Sequence, residues 1–308
     1  MKFVTFMNKK GEQRAGWLQG DRVIDMQLVS GGKSPDNMLD FLHHSEVYLP
    51  IVSRLQKTPQ PDAGIREGSC LLSEVALCAP LPRPRSVRDF YAFEQHVKTS
   101  RAQRGLKMIP EWYEIPAFYF SNHQSIVGPD APVERPTKCK RLDYELEMAC
   151  VIGKEGRNIQ AGQADEYILG YCIMNDWSAR DIQRQEMKVG LGPAKGKDFA
   201  TSLGPYLVTK DELEPYREGD KYRLAMTASV NGRRLSSGNF RDIYYSFGQM
   251  IERASEDTVL YPGDVIGSGT VGTGCILELG EEVHRWLEPG DVVELEITGL
   301  GVLRNPVL

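Results

Sequence analysis

A chain of 308 residues is long enough for one large domain or for two, and its 41% hydrophobic and 26% charged residues are ordinary for a globular protein. The net charge of −5 argues against a nucleic-acid surface, no apolar run approaches the length that crosses a bilayer, and Met1-Lys2-Phe3-Val4-Thr5 lacks the long apolar core of a secretory signal. The six cysteines (Cys70, Cys78, Cys139, Cys150, Cys172, Cys275) are scattered without a Cys-x-x-Cys pair, which predicts reduced thiols in a cytoplasmic protein and argues against a zinc–thiolate site.

Residues 1 to about 30 read as short strands, with turn signals at Lys10-Gly11-Glu12 and Gln19-Gly20-Asp21. Met38 to Leu55 has helical spacing, with Leu39, Leu42, Val47 and Ile51 among its apolar positions. A polar, proline-containing segment, Lys57 to Gly68, follows, and then a strand-like run from Val75 to Cys78. Ala79-Pro80-Leu81-Pro82-Arg83-Pro84 reads as a stiff hinge. The expected division is a small β-rich N-terminal domain over 1–75 and a main domain over 76–308.

In the main domain, Asp89 follows a short extended run, and the pattern turns helical through Arg104 to a C-cap at Gly105. That helix carries His96, Lys98, Arg101 and Arg104; taken alone, the histidine reads as a surface or packed residue rather than as a catalyst. The aromatic stretch Glu111 to Phe120 is core packing or a pocket wall.

Leu142 to Cys150 alternates as a strand, with Leu142, Tyr144, Leu146, Met148 and Cys150 on one face and Asp143, Glu145, Glu147 and Ala149 on the other. Glu145 and Glu147 then lie roughly 7 Å apart on one side. Asp176 ends the next apolar run, Ile168 to Met174. Were the three carboxylates to meet about 4 Å apart, each pair would repel by about 4 kcal/mol at an effective dielectric of 20, so the group would need protons or a cation. An all-oxygen set favours Mg²⁺, Ca²⁺ or Mn²⁺. The segment alone also allows a solvated acidic face. Asn175-Asp176-Trp177-Ser178 is expected to start a helix, capped by Asp176 or Ser178 and carrying Arg180 and Gln183 on one face.

Gly190 to Asp198, with three glycines and two lysines, is a loop suited to anion contact, or a plain surface loop; it lacks the P-loop pattern. Ala164 to Tyr167 and Tyr244 to Arg253 read as helices, and Asn231-Gly232, Pro262-Gly263-Asp264 and Pro289-Gly290-Asp291 as turns between strands. The run Gly267 to Gly274 allows close backbone approach to a ligand, or a bulged strand or turn. Val292 to Ile297 is the last clear strand. The sum is a β-rich α+β chain, not a repeating βα pattern.

Several of these segments resemble the fumarylacetoacetate hydrolase family: Asp143-Tyr144-Glu145-Leu146-Glu147, Asn175 to Gln183, Leu191 to Lys197, Asp89-Phe90-Tyr91 with His96, and Gly269-Thr270 with Glu278. The likeness runs, with gaps, from about residue 87 to the C-terminus. It implies a mixed β-sandwich roll, a homodimer, and a magnesium (alternatively calcium or manganese) site built from Asp89, Glu145, Glu147 and Asp176. It further implies a base, His96, paired with distant Glu278. Short acylpyruvases and oxaloacetate decarboxylases of the family tend to carry a local His-x-x-Glu pair, where Thr99 stands here; the match of Glu278 to the distant glutamate of longer, fumarylacetoacetate-type members favours hydrolysis of a carbon–carbon bond in a 1,3-diketo acid. Arg180, Gln183 and Lys197 are implied as donors to a developing alkoxide, and Tyr91, Tyr119 and Thr270 as substrate contacts. The family's substrate-binding arginine has no clean match; Arg101 and Arg104 are both candidates. Oxaloacetate decarboxylation or keto–enol isomerisation is the alternative activity of the same family, and a non-catalytic metal-binding scaffold the alternative of another class.

Overall fold

The computed structural model describes residues 1–57 and 68–308; the polar segment after Lys57 lies almost wholly outside them. Its main feature is a twelve-stranded mixed sheet. Along the sheet the order is Ser69–Leu71, Arg22–Asp25, Gln13–Gln19, Lys2–Met7, Thr201–Thr209, Ile168–Asn175, Leu146–Ile152, Asp264–Gly267, Ser86–Phe90 and Phe118–Ser121. Ala76–Cys78 pairs off this path with Lys2–Met7, and Ile126–Val127 with Thr201–Thr209. A second sheet of four strands runs Arg233–Asn239, Ala225–Val230, Val292–Ile297, Gly301–Pro306. The two stacked sheets are the expected mixed β-sandwich.

The central strand Leu146–Ile152 shows why period two matters. Leu146, Met148, Cys150 and Ile152 pack into the core shared with the second sheet, against side chains such as Met226, Leu295 and Leu303. Ala149 and Val151 face the other way, into a core with Phe41, Leu42 and Val52 of the N-terminal helices. Glu147 lies on that second face, at the strand's start.

The first N-terminal strand joins the main sheet directly, with Lys2 opposite Val208 and Phe3 opposite Leu207. The passage read as a hinge is packed: Ala79, Pro80 and Leu81 are buried, and Thr5 Oγ1 donates to the Pro80 carbonyl at 2.8 Å. The boundary drawn near residue 75 therefore does not separate two sheets.

Local expectations failed where tertiary partners took over. Leu142 to Cys150 is two strands: Leu142–Asp143 pairs with Ser178–Ala179, and pairing with Ile168–Asn175 begins only at Leu146. Between them Glu145 N donates to the Asn175 side chain at 2.9 Å instead of to a strand. The helix expected at Asn175 starts at Arg180, without a side-chain cap, because Asp176 is turned into the site and Ser178 bonds the Asp176 carbonyl. The helix after Asp89 begins only at Glu94 and ends at Ala102, since Asp89 and Phe90 complete a strand. Met38 to Leu55 splits into Met38–His43 and Ser45–Lys57, where the His44 backbone leaves helical geometry. The helix near Tyr244 is Phe247–Ser255, started by a Ser246/Gln249 capping box. Ala161–Glu166 is a 3₁₀ helix that begins three residues before the expected turn. The turns at Asn231-Gly232 and Pro262-Gly263-Asp264 stand between strands, whereas Pro289-Gly290-Asp291 follows only an isolated bridge at Leu287 and leads into Val292–Ile297; at Asn231-Gly232 both residues have positive φ, 51° and 77°, as a two-residue hairpin requires.

Candidate active site

The site sits at one end of five neighbouring strands. Tyr119 is opposite Asp89, and Asp89 is opposite Gly267. Gly267 is opposite Ala149, two residues past Glu147, and Asn175, just before Asp176, is opposite Leu146. Sequence separations of up to about 180 residues collapse into one corner. A Cβ at 267 would lie 2.4 Å from both Asp89 Oδ1 and Met174 Cε, so glycine there lets Asp89 keep its place.

Asp89, Glu145, Glu147 and Asp176 are all buried, and each offers an oxygen within 4.8 Å of the others. The solvated-face reading of Glu145 and Glu147 is therefore excluded. Lys197 bridges two of them, donating to Glu145 Oε2 at 2.6 Å and Asp176 Oδ2 at 2.5 Å. Arg180 donates through Nη2 to Glu145 Oε1 at 2.7 Å and through Nε to Asp143 Oδ2 at 2.8 Å. Five carboxylates against two cations leave three negative charges uncompensated. Burial raises Asp89 and Glu147 well above the usual carboxylate range, with their mutual proximity adding to the effect in Glu147. Asp176 is raised by burial too, against the pull of Lys197. Glu145 moves the other way: burial would raise it, but Lys197 and Arg180 outweigh burial and hold it low.

Glu147 Oε2 and Asp176 Oδ1 are buried with no hydrogen-bond partner. Orphaned carboxylate oxygens at the centre of an all-oxygen cluster are what a hard divalent cation satisfies, so the residues present fit such an ion.

The other wall of the same cavity, about 350 Å³ in volume, carries His96. His96 Nδ1 lies 2.6 Å from Glu278 Oε1, both side chains buried and 182 residues apart in sequence. Glu278 is fixed at its second oxygen by Thr273 N at 3.0 Å. The Tyr91 ring stands edge-on to His96 at 5.4 Å, and burial pushes the Tyr91 phenol up to about 12. Arg101, Arg104, Gln183 and Met187 also line this cavity.

Every residue singled out from sequence reaches the site, but some contacts differ from the expectation. Tyr119 donates to Asp176, and Thr270 Oγ1 to Glu147 Oε1 at 3.2 Å, so both hold cluster carboxylates here. Arg180 also donates to Gln183 Oε1 at 3.2 Å, which leaves the Gln183 amide N–H₂ free to donate. Lys197 has three donors and spends two on carboxylates.

Two residues were missed. Asp143, given no role from sequence, accepts from Arg180 and from the backbone of Ile276 (2.7 Å) and Leu277 (3.1 Å), so it ties the cluster to the short helix that carries Glu278. Glu186, at the end of the Arg180–Glu186 helix, accepts from the backbone N–H groups of Ala194, Lys195 and Gly196 at 3.1, 2.6 and 3.1 Å. It closes the base of the Met187–Pro193 loop and sets the turn that delivers Lys197. Asp143 was visible as part of the motif; nothing local marked Glu186. A larger cleft, about 680 Å³, lies beside Met1, Lys154 and Lys210, and no cluster of potential metal ligands lines it among the described residues.

Residues 85–308 match the family model described as fumarylacetoacetate (FAA) hydrolase, C-terminal. The chain belongs to the fumarylacetoacetate hydrolase family. Over 298 residues, 94% of this chain and 85% of the other, it is 31% identical to the mitochondrial oxaloacetate tautomerase Fahd2a of Rattus norvegicus. Among solved structures it superposes on a fumarylacetoacetate hydrolase from Exiguobacterium antarcticum with a TM-score of 0.74 and 27% identity, covering 100% of this chain and 99% of that one. It superposes on 5-carboxymethyl-2-hydroxymuconate delta-isomerase from Mycobacterium smegmatis with a TM-score of 0.70, 25% identity and the same coverage. Family membership makes the chain an enzyme of this group with a buried acidic cluster suited to a divalent metal; hydrolase, isomerase and tautomerase all stand among its relatives. Among the described residues, no helix is long and apolar enough to cross a membrane.

Proposed function

We propose that this chain is a divalent-metal-dependent hydrolase that cleaves a carbon–carbon bond in a 1,3-diketo acid of the fumarylacetoacetate or acylpyruvate type. The observation that carries the reading is the buried His96–Glu278 pair facing the same cavity as the four-carboxylate cluster. Asp89, Glu145, Glu147 and Asp176 would hold Mg²⁺, with Ca²⁺ or Mn²⁺ as alternatives. A cation there supplies positive charge to the substrate's ketone and enol oxygens.

The protein's own groups do the rest. Glu278 holds His96 through Nδ1, which leaves Nε2 to take a proton from water. Hydroxide adds to the carbonyl carbon remote from the carboxylate end. Lys197, through its third N–H, the Gln183 amide and Arg180 face the developing alkoxide; one such donor contributes about 3–4 kcal/mol. The carbon–carbon bond then breaks, its electron pair leaves with the enolate fragment, and His96 returns the proton. Tyr91, Tyr119 and Thr270 line the substrate's path.

One observation favours a second reading. The tautomerase relative aligns with 94% of this chain, and proton transfer next to a 2-oxo group would use the same base. A panel of fumarylacetoacetate, fumarylpyruvate, acetylpyruvate and oxaloacetate, with and without EDTA, separates the two. The expected result is EDTA-sensitive loss of enol absorbance with release of two fragments from a diketo acid. Interconversion of oxaloacetate tautomers with every diketone left intact would overturn the hydrolase reading. Unpaired thiols at all six cysteines support a reducing compartment such as the cytoplasm, and exposed Phe120, Val189 and Leu191 support a homodimer.

A further inference from the structure

The His96–Glu278 pair belongs to a second group of potential metal ligands, whose third member, Cys275, the proposed reaction does not use. Cys275 is fully buried, and its Sγ is 3.7 Å from Glu278 Oε1, the oxygen that also faces His96 Nδ1. The ligand atoms of His96, Cys275 and Glu278 all fall within 4.8 Å of one another. The absence of a Cys-x-x-Cys pair had argued against zinc–thiolate chemistry; the fold assembles a mixed site from residues 96, 275 and 278 instead.

We propose that His96, Cys275 and Glu278 form an inhibitory site for a borderline-soft transition metal ion, with Zn²⁺ the best fit. The donor chemistry separates it from the neighbouring cluster. Imidazole, thiolate and one carboxylate favour Zn²⁺, whereas four carboxylates favour Mg²⁺, Ca²⁺ or Mn²⁺. Zinc bonds of about 2.0–2.3 Å to nitrogen, oxygen and sulfur set tetrahedral ligands roughly 3.3–3.7 Å apart. The sulfur–carboxylate separation already matches. The shorter His96–Glu278 contact is a hydrogen bond, and it opens when zinc displaces the proton it holds. Binding also displaces the thiol proton, so a buried neutral thiol becomes a ligand only when the metal arrives. Bound zinc takes Nδ1 and breaks the hold of Glu278, so the base is disarmed while the carboxylate cluster is left intact.

The inhibition rests on the reading of His96 as the base, but occupancy of the site does not, and the test keeps them apart. Protein held in excess Mg²⁺ is titrated with Co²⁺, and in a parallel series with Zn²⁺ while turnover is followed. Cys275→Ser and Cys275→Ala are both used, with folding checked by circular dichroism. The wild type is expected to show a near-ultraviolet thiolate-to-cobalt charge-transfer band with one-to-one stoichiometry, absent from both variants. Half-inhibition by zinc is expected to need at least about tenfold more metal in the variants, whose turnover in Mg²⁺ alone stays near normal. No charge-transfer band in the wild type, or a band that survives loss of the thiol, overturns the site. Equal zinc sensitivity in wild type and variants overturns the inhibitory role. If no substrate of the panel is turned over, the hydrolase reading falls, and the cobalt spectrum alone still decides the site.

Discussion

The two walls of the cavity are built on opposite principles. On the carboxylate wall oxygens are left without partners: Glu147 Oε2 and Asp176 Oδ1 are buried and unpaired, and burial raises Asp89 and Glu147 well above the usual carboxylate range. On the base wall His96 and both oxygens of Glu278 have partners. A group with missing partners is prepared to receive something; a group with all its partners is prepared to keep its orientation. On the proposed roles the cavity divides cation binding from proton transfer, and Asp143 links the halves by holding Arg180 on one side and the Glu278 helix on the other.

The most severe way to break this division is His96→Ala. Turnover of the diketo acid should fall by about 10³-fold or more, while Mn²⁺ affinity measured by calorimetry changes little. Glu147→Gln should do the reverse to the other wall. It should weaken metal binding by about 100-fold. At a pH alkaline enough to ionise Glu147, removal of one like charge should also raise the melting temperature of the EDTA-treated protein, by about 2–4 °C for each kcal/mol of relieved repulsion. A lower melting temperature in EDTA would show that the cluster is not strained by its own charge.

Asp143→Asn should damage both walls together. It leaves Arg180 with Glu145 as its remaining charged partner and loosens the backbone of Ile276 and Leu277, so turnover should drop about 10–100-fold and metal affinity should fall with it. A change in one quantity alone would show that the walls are independent.

How much of this was legible in the sequence depended on range. The alternation around Leu146 is local, and it correctly set the two faces of the central strand. The sequence of apolar and acidic residues could not show that both faces are covered, because Phe41 and Leu42 reach one and Met226 and Leu295 the other from far along the chain. Asp89 and Glu278 were placed by family resemblance alone. Their positions follow from strand register and from a four-residue helix, neither of which leaves a periodic signal. The helix at Asn175 was misread because a cap and a strand-end ligand use the same residue types; only the contact of Lys197 with Asp176 distinguishes them. Cys275 and Glu186 were invisible for the same reason, since each acts through one tertiary contact.

Glu186→Ala tests the approach to the carboxylate wall. With three backbone N–H groups released, Lys197 should lose its fixed position, and kcat should fall about tenfold, with Glu186→Gln recovering part of the loss through its amide oxygen. The smallest effect is expected far from the cavity. Burial alone would raise Asp291, but hydrogen bonds from Arg285, Glu288 N and Asn231 outweigh it and bring it down to about 2. Its folded pKa is depressed, so its contribution to stability is present above pH 4 and is lost as pH falls toward 2. Asp291→Asn should cost about 1–2 kcal/mol at pH 7 and almost nothing at pH 2, with turnover unchanged.

The most direct test of the divided cavity is a Mn²⁺ titration of the His96→Ala variant beside the wild type, followed by calorimetry. The division predicts one tight, EDTA-reversible site of nearly equal affinity in both proteins, with turnover lost only in the variant. Loss of the Mn²⁺ site when His96 is removed would place the histidine among the ligands and contradict the account.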